Sequence, residues 1–114
     1  MATITEVASQ PVSGVIKYTW ETITESDTAN YCVPGGTECL ICSVQVVGTF
    51  GSASVAMQGS NDGTNWVSLN DLQGDAIAIT SAGAAEFSTG MLYLRPFPSG
   101  GSSQDLDVFL VMRG

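Results

Sequence analysis

The stretch Gln58-Gly59-Ser60-Asn61-Asp62-Gly63-Thr64-Asn65-Trp66 constrains the fold more than any other part of the chain. It sets a polar, glycine-containing turn between two runs in which apolar and polar residues alternate. A large aromatic follows directly. Alternation with period two puts one side of an extended chain in a core and the other in solvent. A short Asn-Asp-Gly link between two such runs reverses the chain into an antiparallel neighbour. With Asn61 and Asp62 in a type I turn and Gly63 in the left-handed position, Ser60 pairs with Thr64, Met57 with Val67 and Val55 with Leu69. A register shifted by one residue sets apolar side chains against polar ones. The favoured register places Trp66 opposite Gln58, on the face shared with Ser54, Ala56 and Ser68, away from the core.

The same grammar runs through the rest of the chain. Ile16, Tyr18 and Trp20 alternate with Lys17, Thr19 and Glu21. Cys42, Val44 and Val46 share a face, with Ser43, Gln45 and Val47 opposite. Ile77 and Ile79 align, and Met91 to Arg95 reads as a strand ending at Pro96-Phe97-Pro98. Leu106, Val108, Leu110 and Met112 form one face of the last strand. Gly, Pro, Ser and Asn clusters separate these runs, and no helical periodicity competes. The expectation is an all-β fold, an antiparallel β-sandwich or jelly roll of about eight to nine short strands. That domain spans residues 12–114. Residues 1–11, short of large apolar side chains and ending at Pro11, read as an N-terminal arm.

A 114-residue chain is one domain and can bury a core without metals or disulfides. Charged residues make up 12% of it, against about 25% in typical soluble domains. The surface is therefore expected to be rich in neutral Ser, Thr, Gly, Asn and Ala, which suits packing against other protein copies. The net charge is −8, from eleven acids against Lys17, Arg95 and Arg113. Nucleic-acid binding needs a basic footprint, which is missing, and an anionic membrane is disfavoured for the same reason. No apolar run approaches the length of a membrane span. The start, Met1 to Glu6, lacks a basic and then apolar pattern, so synthesis and assembly in a cytoplasm are expected.

Reactive constellations are scarce. With no histidine, Ser-His-Asp and Cys-His arrangements are ruled out. Cys32, Cys39 and Cys42 are odd in number, which argues against a disulfide framework. Cys39 and Cys42 have C-x-x-C spacing, yet a zinc site lacks a good fourth ligand. A redox motif would need a strand-to-helix turn, whereas this pair leads into a strand. Buried structural thiols are the expectation. Asp105 and Asp107 are the nearest carboxylate pair, on a solvent face. Asn61, Asp62, Asp71 and Asp75 do not match a calcium loop. The reading is of a non-enzyme with no cofactor and no metal.

The candidate interface residues are Trp66, Gln58, Phe109 and Val111. A tryptophan on a polar face is either covered by a neighbouring loop or the arm, or it anchors a subunit contact, where Trp is enriched. Phe109 and Val111 lie on the outward face of the last strand with Asp107 and Arg113. A central strand buried on both faces explains them, and so does an oligomer contact.

The run Gly59 to Trp66 resembles a turn of galactose-binding-like carbohydrate modules. It also resembles a turn of small tailed-bacteriophage virion proteins. The second resemblance extends to the N-terminal arm, Val15 to Ile23, Tyr93-Leu94-Arg95-Pro96, the Gly/Ser loop at 99–103 and Leu106 to Arg113. It implies a structural virion protein of the capsid decoration (cement) type. Such a protein forms homo-oligomers that stabilise a phage capsid through contacts with capsid or other virion proteins. The first resemblance implies instead a carbohydrate-binding or adhesion module of a phage tail or fibre, with a glycan as partner.

Overall fold

Among the described residues ten strands run in chain order. They are β1 (Thr3–Ile4), β2 (Val7–Val12), β3 (Val15–Thr24), β4 (Thr28–Ala29), β5 (Ile41–Thr49), β6 (Ser54–Ser60), β7 (Val67–Ser68), β8 (Gly83–Phe87), β9 (Tyr93–Ser99) and β10 (Asp105–Arg113). The computed structural model describes residues 3–12, 15–24, 27–33 and 41–113. Cys39, and with it the C-x-x-C pair as a unit, lies outside the described residues.

The strands form a five-stranded sheet in the order β2-β3-β10-β5-β8 and a three-stranded sheet β7-β6-β9. Every pairing within these two sheets is antiparallel. Their inner faces meet in one core, so the fold is an all-β sandwich. From the first sheet come Trp20, Ile23, Cys42, Val44, Val46, Phe87, Leu106, Val108, Leu110 and Met112. From the second come Val55, Met57 and Leu94, with Ile77 and Ile79 closing one side. Removing a Val, Leu or Ile side chain from water stabilises the fold by roughly 1.5–3 kcal/mol. The alternating apolar faces of β3, β5 and β10 are therefore what hold the layers together.

β10 is the hinge of the arrangement, paired to β3 on one side and β5 on the other. Its register with β3 slips between Leu106 and Val108, which marks a bulge. Thr22 sits there with φ of 58°, and its amide donates to Asp107 Oδ1 at 2.9 Å. Asp107 is thus tied into the bulge, rather than merely solvated beside Asp105.

The first residues, read as an arm, run as strands along the domain. β1 pairs in parallel with β4, matching Ile4 to Ala29. β2 pairs with β3 as an outer strand, a position that tolerates Pro11.

Two strand expectations are corrected. β9 continues through Pro96 and Pro98 instead of stopping at them. Leu94 exchanges both backbone hydrogen bonds with Cys32, on the edge facing away from β6. Residues 96 and 98 share that orientation, so the missing proline N–H groups fall on the open edge and cost no ladder bond. The segment 76–80 joins through isolated bridges, Val55 to Ile79 and Asn70 to Ala76, rather than as a regular strand.

Candidate functional site

The outer face of the three-stranded sheet gathers a group of aromatic side chains around one guanidinium. Strand parity sets up most of it. Leu94 and Pro96 of β9 point into the core, so Tyr93, Arg95 and Phe97 point out. In the β6–β9 register Ser60 faces Tyr93, Gln58 faces Arg95 and Ala56 faces Phe97. Arg95 Nε donates to Gln58 Oε1 at 2.9 Å, a cross-strand bond on the same face. The guanidinium carbon lies 4.1 Å from the Trp66 ring centroid and 5.5 Å from that of Phe97. Desolvation by these neighbours lowers the Arg95 pKa, though a guanidinium remains a cation throughout the working range.

Tyr31 arrives from a different part of the chain. Cys32 is fully buried and bridges Leu94, which turns Tyr31 and Val33 outward. The segment is held by the polar ends of two buried aromatics of β3. Trp20 Nε1 donates to the Asn30 carbonyl at 2.8 Å, and the Tyr18 hydroxyl to the Val33 carbonyl at 3.1 Å. Tyr31 then meets Tyr93 edge to face at 4.7 Å between centroids and Trp66 at 6.0 Å. Such ring pairs are each worth about 0.5–1.5 kcal/mol beyond their burial.

Trp66 is delivered by the hairpin turn, whose register differs from the sequence expectation. Gln58 faces Ser68 and Gly59 faces Val67, so Trp66 comes opposite Ser60, two residues along from the expected partner. The loop is longer than three residues because a side-chain network organises it. Asp62 Oδ1 accepts from the Thr64 and Asn65 amides at 2.9 and 2.8 Å, and Oδ2 from Asn65 Nδ2 at 2.7 Å. The Ser60 hydroxyl donates to Asp62 Oδ1 and accepts from the Gly63 amide. These bonds, the Asn65 amide first, hold the Asp62 carboxyl far below its usual range. Gly63 takes a φ of 77°, the expected left-handed conformation. Asn61 does more than form the turn, since its Oδ1 accepts the Leu92 amide at 3.0 Å and ties the loop to the start of β9.

The two-residue shift keeps Trp66 on the expected face. It is half-buried, covered within its own chain by Arg95 and Tyr31. Phe109 and Val111 lie on the opposite side of the sandwich, half-buried on the outer face of the five-stranded sheet. Lys17 Nζ stands 5.1 Å from the Phe109 ring centroid. Exposed Val7 and Ile41 extend that apolar surface. The structure therefore brings Trp66 and Gln58 into one cluster and places Phe109 and Val111 in another. Sequence reasoning missed Tyr31, Tyr93, Arg95 and Phe97 as neighbours of Trp66. A period-two reading carried through Pro96 would have found the last three, while nothing local announces Tyr31.

Cys32 and Cys42 are fully buried within the core. Asp71 caps its own loop by accepting from the Gln73 and Asp75 amides. Among the described residues no group of His, Cys, Asp or Glu side chains could hold a metal ion.

No family model and no curated protein sequence matches the chain. Its fold is similar to that of the SPBc2 prophage-derived protein YomS, with a TM-score of 0.68 at 11% identity over 93% of this chain and 100% of that one. A cupin-domain protein from Bordetella pertussis Tohama I is more distant, with a TM-score of 0.48 at 9% identity over 100% of this chain and 99% of that one. So is IMPa from Pseudomonas aeruginosa, solved in complex with an O-glycopeptide, with a TM-score of 0.48 at 15% identity over 92% of this chain and 13% of that one. At these identities the likeness to YomS speaks for a shared fold, and the other two are too remote to carry an argument.

Proposed function

We propose that the protein is a structural component of a bacteriophage virion, a decoration protein that forms homo-oligomers and braces a capsid. The observation that carries this reading is the aromatic and arginine face of the β7-β6-β9 sheet. Trp, Tyr and Arg are the residues enriched where protein interfaces concentrate their energy, and here they are already ordered before any partner arrives. The shared fold with a prophage-derived protein supports a phage origin. A decoration oligomer needs one surface for its own copies and another for the shell, and the sandwich offers two on opposite sides. The outer face of the five-stranded sheet, with Val7, Ile41, Phe109 and Val111, suits contacts between copies. The aromatic face suits a capsid or other virion protein. The net charge of −8 disfavours nucleic acid as a partner. On this reading the work is done by apolar burial at interfaces, with no catalytic step.

The test is light scattering of the purified protein, followed by binding to the phage's own capsids lacking it. An oligomer that binds at hundreds of copies per particle is expected. A monomer that leaves the capsids bare refutes the reading, and a stoichiometry of a few copies moves the protein to a connector or tail.

One observation favours a second reading, an adhesion module of a tail or fibre that binds glycan. Tyr31, Trp66 and Tyr93 form an aromatic group on the surface that the sequence did not reveal. Glycan-array binding that disappears in Trp66→Ala, with assembly unchanged, would decide for it.

A further inference from the structure

Arg95 is one of three basic residues in a chain with eleven acids, yet among the described residues no carboxylate pairs with it. Among the described residues only its Nε–H is used, toward Gln58 Oε1. A guanidinium carries five N–H donors in a planar fork, so the terminal nitrogens remain available. Asp27 lines the small cleft beside Arg95, but its Oδ2 accepts from the Thr24 amide and hydroxyl. The fork is held in place from three directions, by Trp66, by Phe97 and by Gln58. An arginine immobilised in this way has already lost much of the side-chain freedom that pairing would cost it.

The surroundings point to the kind of partner. The exposed side chains of Tyr31 and Phe97 border the guanidinium and its Trp66 cover. A protein surface laid over them would exclude water from the charge, which strengthens a charge pair and punishes a mismatch. A neutral sugar accepts from such a fork through single hydroxyl oxygens, whereas a carboxylate takes two parallel charge-assisted bonds, about twice as strong as neutral ones.

We propose that Arg95 is the specificity-determining residue of this face and receives an Asp or Glu carboxylate of a partner protein in a bidentate pair, framed by Trp66, Tyr31 and Phe97. The proposal rests on the reading of this face as a protein contact, and it names the chemistry that the partner must present.

The test uses the full chain, isotope-labelled, with resonances of the Arg95 Nε–H and Trp66 Nε1–H groups as reporters. Titration with hexaglutamate is expected to shift both. The shifts should vanish in Arg95→Gln and weaken in Arg95→Lys, which keeps the charge but loses the fork; a single cooperative thermal transition, lowered only by the lost Trp66 and Gln58 contacts, shows that each variant is folded. Equal shifts with hexaglutamine, shifts that persist in Arg95→Gln, or a response to maltohexaose alone overturns the proposal, the last in favour of a glycan. On capsids, Arg95→Gln is expected to weaken binding roughly thirtyfold. Capsid binding that Arg95→Gln leaves unchanged overturns the proposal while leaving decoration intact. A wild-type chain that responds to hexaglutamate but binds no capsid supports the Arg95 site and sinks the decoration reading.

Discussion

Replacing Trp66 by alanine probes the aromatic face most directly. The indole covers the Arg95 guanidinium at 4.1 Å, and at a half-exposed site such a contact is worth about 0.5–1 kcal/mol. The tilted contact with Tyr31 at 6.0 Å adds about 0.5–1.5 kcal/mol. Loss of partly buried apolar surface adds about 1 kcal/mol more. Trp66→Ala should therefore destabilise the fold by about 2–3.5 kcal/mol. Arg95→Ala removes the same stack together with the Gln58 hydrogen bond, the latter worth about 1 kcal/mol. The two substitutions share only the stack, so a double-mutant cycle should return a coupling of about 0.5–1 kcal/mol. Urea unfolding at neutral pH measures it, with circular dichroism as one probe. Trp20, fully buried in the core, serves as a fluorescence reporter present in every variant. Additive effects, with coupling below about 0.3 kcal/mol, would mean that Trp66 does not rest on Arg95 in solution. The ordered interface would then lose its physical basis.

Other outcomes follow from single residues. Gly51 and Gly100 both have positive φ, 55° and 77°, but a Cβ at Gly51 would run into the Ser102 carbonyl whereas Gly100 faces open space. Gly100→Ala should cost about 1–2 kcal/mol from backbone strain alone, and Gly51→Ala more than about 3 kcal/mol in urea unfolding; equal costs would deny the close approach. Because the folded-state pKa of Asp62 is depressed, its stabilising contribution is complete above the ordinary value of 3.8 and fades as pH falls through the lower folded value. Carboxyl titration by NMR should find a midpoint well below 3.8, and Asp62→Asn should flatten the acid limb of stability; a midpoint at the ordinary value refutes the network. Cys32 and Cys42 are fully buried, so a Cys39→Ser variant should label with maleimide only as fast as the protein opens. Rapid labelling of the native variant would contradict that burial.

Much of the fold was legible because burial in a sheet follows parity. Leu106, Val108, Leu110 and Met112 are all buried, as are Cys42, Val44 and Val46, and Trp20 beside Tyr18. The hairpin and the left-handed Gly63 were legible for the same local reason, a turn with its own chemistry. Its register was not. The expected and observed pairings differ by two residues, and a shift of two leaves every side chain on the same face. Apolar alternation cannot distinguish them. The Asp62 and Ser60 hydrogen bonds do, by stabilising a longer loop. The prolines of β9 misled in another way. A proline ends a strand only where its missing N–H was needed, and that depends on which edge it faces.

By itself the sequence determined which side chains face inward, because the alternation of a strand is a property of the backbone at each residue. It also determined that Trp66 stands off the core face, that the turn needs a glycine, and that no histidine-based chemistry is present. Only the tertiary structure decided what Trp66 meets there. Tyr31, Trp66 and Arg95 come from three separate segments, joined by the Cys32–Leu94 bridge and the β6–β9 register. Neighbourhood across a sheet depends on pairings between distant segments, which compete on total packing and hydrogen bonding. No local pattern encodes the outcome of that competition, and the arginine held among aromatics is one of its products.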